Sequence, residues 1–514
     1  MHLKQFHNYE ERKDMLKIIA SEIVELDSNV HTGGGTDVTE ALQAVLDRAP
    51  ECGGVHLIMD GAALVRGLKI YSNTVIECLN SECGFFMVDY ANRPILSNYN
   101  WSFDHIVTHD VKFIGGTYNH NCTKQVHHLS AEEFPFPQSE RENLYASGHG
   151  IFLMELYGME NLVLEGVTFK NQRTYAFCLG CFRNVRIENC SIDMAEHVHP
   201  SNQDGLHFFG PGRFLTIRNI RGCTGDDFIN LAPDEADGIS DITDVLIDGV
   251  FFDDVCQGIR MLSRKDGRLD RVVIRNVTGT YRTFAFSIQP FVRGETFGSY
   301  GDIFIENVNL TQKEDYYHYT PLSFMELGGN VDNFTLKNVR FANPNRNSLF
   351  IDLGRAFFYR PKELTAEECE KYQIHDWEEL SENIYWMPEK ARPVIKNFTL
   401  DDVMFSSDEK ADDMDYISLK HRIENVMIRN IKLFRTSEAR TSGSLLKMSA
   451  ESNIGNLFLE NVYAERIDSV LSGDREHSIE FFRADNVILK DGKKMFDTDA
   501  VSVKKEIRSD VYEI

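Results

Sequence analysis

The chain has 514 residues, with 54 basic and 79 acidic side chains and a formal net charge of −25. Hydrophobic residues make up 42% of it and aromatic residues 11%, so a large core can form and global disorder is excluded. The acidic balance and the lack of any Lys- or Arg-rich run argue against nucleic acid or an anionic membrane as a partner.

The first residues contain no apolar stretch after a basic start, and no uncharged apolar run is long enough to span a bilayer. We therefore predict a cytoplasmic protein, unless an export signal has been removed. The ten cysteines are scattered and too few for a disulfide framework. Cys178 and Cys181 have CxxC spacing, but no second pair stands at ligand spacing. We predict buried structural thiols there, and neither a metal nor a cofactor.

The chain begins with a predicted N-terminal extension over residues 1–32, followed by a short helix at Asp37–Arg48. Asp37 and Glu40 are spaced as a capping box. Four apolar residues fall on one helical face, namely Val38, Leu42, Val45 and Leu46. A helix of this kind would cover the open end of a repeat structure, where unpaired strand edges invite association.

A six-residue phrase of alternating apolar residues around Asn, Asp or Gly recurs along the chain. It stands at Leu162–Val167, Val185–Cys190, Leu215–Ile220, Val245–Val250, Val272–Val277, Ile303–Val308, Phe334–Val339, Phe398–Val403, Val426–Ile431 and Leu457–Val462. Alternation indicates strands, and a period mostly between 23 and 31 residues indicates a solenoid. A second short apolar strand separates successive phrases, as at Phe177–Leu179, Gly205–Phe209, Phe228–Leu231, Gly258–Leu262, Phe284–Ile288 and Leu322–Met325.

The pattern predicts an all-β fold, a right-handed parallel β-helix over residues 33–490 with an N-terminal capping helix. The asparagines of the phrase are expected to stack between rungs or to hold left-handed turns. One interval, from Val339 to Val403, is 64 residues and is interpreted as two periods with an insertion. A charged stretch at 356–393 is predicted to be a helical insertion, and 491–514 a C-terminal cap or an oligomer contact.

Three successive rungs carry a dense polar cluster. The first reads Asn202-Gln203-Asp204-Gly205-Leu206-His207, the second Gly225-Asp226-Asp227 and the third Gly258-Ile259-Arg260. Since neighbouring strands lie about 4.8 Å apart, outward side chains of adjacent rungs can converge on one ligand.

This cluster resembles glycoside hydrolase family 28, the polygalacturonases, whose motifs read Asn-Thr-Asp, Gly-Asp-Asp, Gly-His-Gly and Arg-Ile-Lys. The resemblance covers roughly residues 33–345, and the Asp204 and Asp226-Asp227 motifs carry it. The family's Gly-His-Gly rung is missing after Asp227, and Leu262 stands where the motif has Lys. That Lys and the Arg would hold a substrate carboxylate, so the resemblance implies glycoside hydrolysis without specifying galacturonate.

Inverting glycosidases need one protonated carboxyl as acid and one ionised carboxylate that activates water, about 6.5–9.5 Å apart. Crowding of like charges favours protonation of one carboxyl. The resemblance implies that Asp226 is the acid and that Asp204 and Asp227 activate water. Asp226 and Asp227 can face the same cleft only if the chain bends after Gly225. The predicted partner is a carbohydrate, and the predicted substrate-binding residues are Arg260, His207, Asn202, His149, Gln289 and Lys265.

Two alternatives stay open. A polysaccharide lyase of the same fold would use acidic residues to hold Ca²⁺ beside a uronate and an Arg as base, so Asp204, Asp227 and Arg260 could serve in those roles. A non-catalytic β-helix, such as a trimeric adhesin or tailspike, would bind glycans without turnover. Product chemistry and tolerance of carboxylate-to-amide changes separate the three.

Overall fold

A computed structural model describes residues 15–126, 151–198, 202–234, 240–263, 267–292, 298–313, 323–343, 349–353, 357–358, 393–407, 415–420, 422–435, 441–449, 452–474, 477–497 and 499–514. The chain forms two compact units. The first comprises Met1–Leu231 and Ile242–Val255, and the second comprises Ala232–Asp241 and Cys256–Ile514.

The first unit contains the helix α1 (Thr39–Leu46), two 3-10 helices (Ala20–Glu22 and Cys122–Lys124) and a series of short strands. These strands are β1 (Leu16–Ile19), β2 (Val55–Met59), β3 (Ala62–Val65), β4 (Leu68–Ile70), β5 (Thr74–Cys78), β6 (Gly84–Met87), β7 (Leu96–Asn98), β8 (Thr108–Ile114), β9 (Thr117–Asn119), β10 (Met154–Glu165), β11 (Thr168–Lys170), β12 (Phe177–Glu188), β13 (Ser191–Asp193) and β14 (Leu206–Gly222).

The chain passes between the units within β15 (Asp227–Ala232) and β16 (Ile242–Ser263). The strands of the second unit are β17 (Arg268–Val292), β18 (Ser299–Gln312), β19 (Ser323–Leu327), β20 (Asn330–Asn343), β21 (Leu349–Leu353), β22 (Phe357–Phe358), β23 (Val394–Ser407), β24 (Ile417–Leu419), β25 (Arg422–Arg435), β26 (Ser444–Met448), β27 (Asn453–Glu465), β28 (Ser469–Gly473), β29 (His477–Lys490) and β30 (Val501–Glu513).

Successive strands pair in parallel, and the repeat phrases lie opposite one another. In the first unit Val185 of β12 faces Leu162 of β10 and Leu215 of β14. In the second unit Val426 of β25 faces Phe398 of β23 and Leu457 of β27. Alternate residues of these strands are buried, so each coil encloses an apolar core of stacked like residues. The predicted all-β fold, a right-handed parallel β-helix, is confirmed.

The N-terminal helix is present, and its apolar face is buried as expected. The buried side chains are Val38, Leu42, Val45 and Leu46. The helix is capped differently from the predicted box of Asp37 and Glu40. Asp37 Oδ1 accepts hydrogen bonds from the backbone N–H and the hydroxyl of Thr39, and its Oδ2 accepts one from Arg66. The Arg66 ion pair thus joins the helix to the strand region that it covers.

The asparagines of the repeat stack between rungs and hold left-handed turns, as predicted. In the first unit Asn219 Nδ2 donates to Asn189 Oδ1 at 3.1 Å. In the second unit a longer ladder joins Asn276, Asn307 and Asn338, with 3.1 and 2.8 Å between the side chains. All of these residues have φ between 50° and 60°. Asn tolerates this conformation better than most residues because its short side chain can hydrogen-bond locally.

Asn307→Ala is expected to lower the free energy of unfolding by about 2 kcal/mol. Alanine at φ 57° would be strained by about 1–2 kcal/mol, and two side-chain hydrogen bonds would be lost. Asn307→Gly removes the same hydrogen bonds without the strain, so it should cost roughly 1 kcal/mol less than Asn307→Ala. Denaturant unfolding of the three proteins measures both terms. Equal costs for Ala and Gly would contradict the strain argument.

The 64-residue interval is one rung and not two, so the interpretation as two periods was wrong. Val339 of β20 pairs directly with Val403 of β23. The strands β21 and β24 also pair directly, with Ile351 opposite Ile417. The 64 residues from Val339 to Val403 therefore separate two directly paired strands, which interrupts the sequence period without adding a rung. Most of the insertion predicted at 356–393 lies outside the described residues, apart from β22 and Pro393.

Parallel pairing extends beyond the predicted solenoid boundaries at 33 and 490. β1 pairs with β2, with Leu16 opposite Val55. β30 pairs with β29 along its length, from His477 opposite Val501 to Leu489 opposite Glu513. The segment 491–514 is highly charged, and backbone pairing between strands depends little on that charge. In the described part of the chain no helix is long and apolar enough to cross a membrane.

Candidate active site

The predicted carboxylates Asp204 and Asp227 lie on adjacent rungs of the first unit. The backbone N–H of Gly205 donates to the carbonyl oxygen of Asp227 at 2.8 Å, and the N–H of Ala176 donates to the carbonyl of Asp204 at 2.9 Å. Gly205 is required here, since a Cβ at this position would lie 2.4 Å from the carbonyl oxygen of Phe228. The absence of a side chain allows the two acidic rungs to stack directly.

Asp204 and His207 form a buried pair. The imidazole Nδ1 lies 3.0 Å from Asp204 Oδ2, and only 1% of His207 and 3% of Asp204 are exposed. The His207 ring stacks on Tyr175, with 4.2 Å between ring centroids and 4° between planes. Phe209 contacts the other edge of the imidazole at 4.7 Å. The Asp204 carboxylate orients the His207 imidazole with its Nδ1–H toward Asp204, and the rings of Tyr175 and Phe209 fix the plane of the imidazole.

Asp227 repeats this arrangement one rung on. Asn230 Nδ2 donates to Asp227 Oδ2 at 2.9 Å, and both residues are buried. Each rung therefore presents an aspartate that is hydrogen-bonded to the side chain three residues later, His207 in one and Asn230 in the other. The strand after each aspartate begins at a different point, since β14 begins at Leu206, two residues after Asp204, whereas β15 begins at Asp227 itself.

Asp226 lies in a bend with Gly225, immediately before β15. The predicted bend after the glycine is therefore present. The side chain of Asp226 is half-buried, unlike that of Asp227. Thr224 Oγ1 donates to the Asp226 carbonyl at 2.8 Å, and the Gly225 N–H donates to the carbonyl of Gln203 at 3.1 Å. These bonds fix the bend and leave Asp226 the most accessible of the three aspartates.

Sequence reasoning missed a fourth carboxyl on the same face, Glu155. The registers place Glu155 opposite Cys178, and Cys178 opposite His207, so the three side chains point to one side of the sheet. Two strand spacings separate the backbones of Glu155 and His207 by roughly 10 Å. The Tyr157 hydroxyl donates to Glu155 Oε1 at 2.9 Å. The available signal was the alternation of Met154, Glu155, Leu156 and Tyr157, which precedes the first repeat phrase.

Burial raises the pKa of Glu155 to about 7, and the hydrogen bond from Tyr157 opposes this rise. A carboxyl with this pKa holds an exchangeable proton near neutral pH, which is the property of a general acid. Glu155 is nonetheless partly accessible, because it lies in the intermediate range of exposure.

Glu155→Gln is expected to remove a pH dependence of stability. The folded pKa of Glu155 lies above its ordinary value of 4.5, so the wild-type protein loses stability as the pH rises through the window from 4.5 to about 7. The Gln variant should match the wild type near pH 4 and exceed it by about 1–3 kcal/mol near pH 8. Denaturant midpoints measured across this range test the prediction.

Glu160→Gln is the matched control, since Glu160 lies on the same strand but forms an ion pair with Arg183. It should not gain stability relative to the wild type as the pH rises. A difference between wild type and Glu155→Gln that stays constant with pH would contradict the assignment.

The predicted substrate-binding residues have different surroundings. Asn202 is exposed, with φ 49°, at the start of the Asp204 rung. Arg260 and Gln289 belong to the second unit. Burial raises the pKa of Tyr300, and the charge of Arg260 opposes this rise, so the guanidinium lies near that phenol. The Gln289 side-chain amide donates to buried Glu326, which also accepts from Ser287 at 3.1 Å. His149 and Lys265 lie outside the described residues.

The convergence of Arg260 and Gln289 with the aspartates stays a prediction. Cys178 and Cys181 are buried thiols on β12, as expected, and neither forms a disulfide in the described structure. In the ranges that the structure describes, no group of three or more His, Cys, Asp or Glu side chains is placed to hold a metal ion.

Comparisons with known proteins connect the chain to solved structures only. No family model matches the sequence, and no curated protein matches it. The tailspike protein of E. coli bacteriophage HK620 in complex with a pentasaccharide superposes with a TM-score of 0.58 at 12% identity, over 93% of this chain and 77% of that one. A double mutant of that tailspike gives 0.57 at 12%, over 97% and 80%. A mutant in complex with a hexasaccharide gives 0.55 at 11%, over 93% and 76%. At this identity the likeness shows the fold, a right-handed parallel β-helix.

Proposed function

We propose that the protein is a glycoside hydrolase that cleaves an oligo- or polysaccharide with inversion, by acid–base chemistry of aspartates. The observation that carries the proposal is the pair of stacked rungs, each with an oriented carboxylate: Asp204 held by His207 at 3.0 Å and Asp227 held by Asn230 at 2.9 Å. Acid–base catalysis needs carboxylates held in fixed orientations beside each other, and these two hydrogen bonds supply that orientation.

The roles follow from the accessibility of each group. Asp226, half-buried in the bend, protonates the leaving oxygen of the glycosidic bond. Asp204 and Asp227 activate the attacking water, and the hydrogen bonds from His207 and Asn230 stabilise their ionised forms. The polygalacturonase-like motifs support these assignments. Leu262 stands where the family's motif has the Lys that would help to hold a substrate carboxylate. The aspartates therefore define which bond is cleaved, and a screen of substrates decides whether a uronate is preferred.

The similarity of fold to a tailspike crystallised with a pentasaccharide and a hexasaccharide supports a glycan as the substrate class. It supports with equal force a second candidate, a β-helix that binds glycans without cleaving them. The observation that favours this second candidate is burial, since Asp204 and Asp227 are only 3% and 2% exposed. Turnover separates the two candidates.

The test is incubation of the full chain with panels of neutral and uronic-acid polysaccharides. New reducing ends, no ultraviolet-absorbing unsaturated product, and an inverted anomeric configuration in the first NMR spectra are expected. Unsaturated products whose formation stops with a chelator would instead identify a lyase. Saturable binding of a glycan without any product would identify the binding protein.

A further inference from the structure

The second unit contains an open cavity of about 390 Å³ that the proposed hydrolysis does not use. It crosses several consecutive rungs, from the segment before β24 to the segment between β29 and β30. Its lining consists of Asp415, Gly443, Ser444, Lys447, Asp468, Ser469, Ser472, Gly473, Lys493, Lys494 and Asp497. Its volume is in the range of small-ligand sites.

Three serine hydroxyls meet in this cavity. Ser444 Oγ lies 3.0 Å from Ser469 Oγ and 2.7 Å from Ser472 Oγ. The parallel register of β26 and β28, with Ser444 opposite Ser469, brings them together. Each hydroxyl can donate and accept, so the cluster can reverse its hydrogen bonds to suit a ligand hydroxyl.

Three ion pairs surround the hydroxyls. Lys447 Nζ lies 2.9 Å from Asp415, Lys493 Nζ lies 2.7 Å from Asp468, and Lys494 Nζ lies 3.1 Å from Asp497. The three lysines balance the three aspartates, so the lining is neutral in a chain of net charge −25. The backbone N–H of Ser444 donates to Asp415 Oδ1 at 2.9 Å, which fixes that carboxylate.

The lining composition selects the chemistry of a ligand. The described lining residues include no aromatic or aliphatic side chain, so an apolar molecule gains little there. An anion would have to draw lysines away from their aspartates, and a cation would have to draw aspartates away from their lysines. A neutral molecule rich in hydroxyl groups can bind to the outer lone pairs of the carboxylates, to the ammonium groups and to the serines without breaking any pair.

We propose that this cavity, defined here as the serine cavity, is a binding site for an uncharged glycan segment. The site is built from β26, β28, the residues just before β24, β26 and β28, and the segment between β29 and β30, and none of the proposed catalytic aspartates lines it. It therefore would act as an anchoring site, independent of whether the first unit hydrolyses its substrate.

Calorimetric titration of the full chain with maltotriose, cellotriose, triacetylchitotriose and trigalacturonate tests the proposal. Saturable binding of at least one neutral trisaccharide is expected, with at least tenfold weaker binding by the double variant Ser444→Ala/Ser472→Ala. Lys447→Ala, whose side chain is 37% exposed, is a second variant with less risk to folding and should weaken binding similarly. Ser509→Ala is the matched control and should bind as the wild type does, because Ser509 bonds to Asp485 outside the cavity.

Asp204→Asn distinguishes this proposal from the hydrolase proposal. It should leave trisaccharide binding at the serine cavity unchanged whether or not it abolishes hydrolysis. The cavity proposal is overturned if no neutral trisaccharide binds, if the cavity variants bind as tightly as the wild type, or if trigalacturonate alone binds in a cavity-dependent manner.

Discussion

Asp204→Asn is expected to lower the rate of glycan hydrolysis by about 10²–10⁴-fold, the usual contribution of a general base. The amide has nearly the shape of the carboxylate and can still accept the hydrogen bond from His207, so the fold and the aromatic stack should persist. What is lost is the negative charge that takes a proton from water. Release of reducing ends from the glycan identified in the panel measures the effect.

Asp474→Asn is the control, because the second unit contains another Asp–His pair at the same spacing, in which Asp474 is more exposed than Asp204 and the partner atom is Nε2 instead of Nδ1. His477 Nε2 lies 2.9 Å from Asp474 Oδ1, again at a spacing of three residues, and His477 is buried. Hydrolysis by Asp474→Asn should equal that of the wild type. Full activity of Asp204→Asn would remove the acid–base proposal and leave the glycan-binding candidate.

Phe324→Ala is expected to lower the stability of the second unit by about 3–5 kcal/mol. Phe324 is fully buried at the centre of a cluster of aromatic rings. Ring centroids lie at 4.8 Å for Phe350, 5.1 Å for Phe341, 5.7 Å for Phe286 and 6.2 Å for Tyr281. The four rings are held on three strands, β17, β20 and β21, and cannot all collapse into the space that the truncation leaves. Denaturant unfolding followed by aromatic fluorescence and far-ultraviolet circular dichroism measures the shift.

Phe434→Ala provides the comparison, since Phe434 is 39% exposed and contacts one ring, that of Tyr463. It should cost well under half as much as Phe324→Ala. Similar costs for both would show that the core of the coil is not closely packed at Phe324. In a solenoid the loss is felt by neighbouring rungs first, so the transition should broaden as well as shift.

The fold was predictable because every rung has the same two requirements, burial of one face of its strands and a turn at the corner. Alternating residues such as those of Val185–Cys190 must bury one face, and an asparagine must follow at the corner. The sequence therefore repeats where the geometry repeats. Prediction was wrong in the interval from Val339 to Val403, where additional residues lengthen the sequence period although the two strands pair directly.

The candidate site was predictable only in part. Asp204, Asp226 and Asp227 lie in motifs whose spacing can be recognised in the sequence. The bend at Gly225 was predictable because adjacent strand residues point to opposite faces, so Asp226 and Asp227 can share a cleft only if the chain bends. The hydrogen bond from Asn230 was missed because it depends on how the strand leaves the aspartate. Glu155 was missed because its significance arises from burial, which raises its pKa to about 7, and the alternation from Met154 to Tyr157 predicts a strand without predicting that burial.

A second asparagine ladder, which runs through β20, β23, β25 and β27, has a consequence for how such chains can diversify. Asn456 bonds to Asn425 across 31 residues, and Asn425 to Asn397 across 28, at 2.7 and 2.9 Å. Asn397 bonds to Asn333 at the same 2.7 Å although 64 residues separate them. The hydrogen bond between two stacked asparagines thus does not depend on the number of residues that separate them along the chain. Evolution or an engineer can graft long, unrelated segments elsewhere on a rung, while the scaffold keeps its pitch.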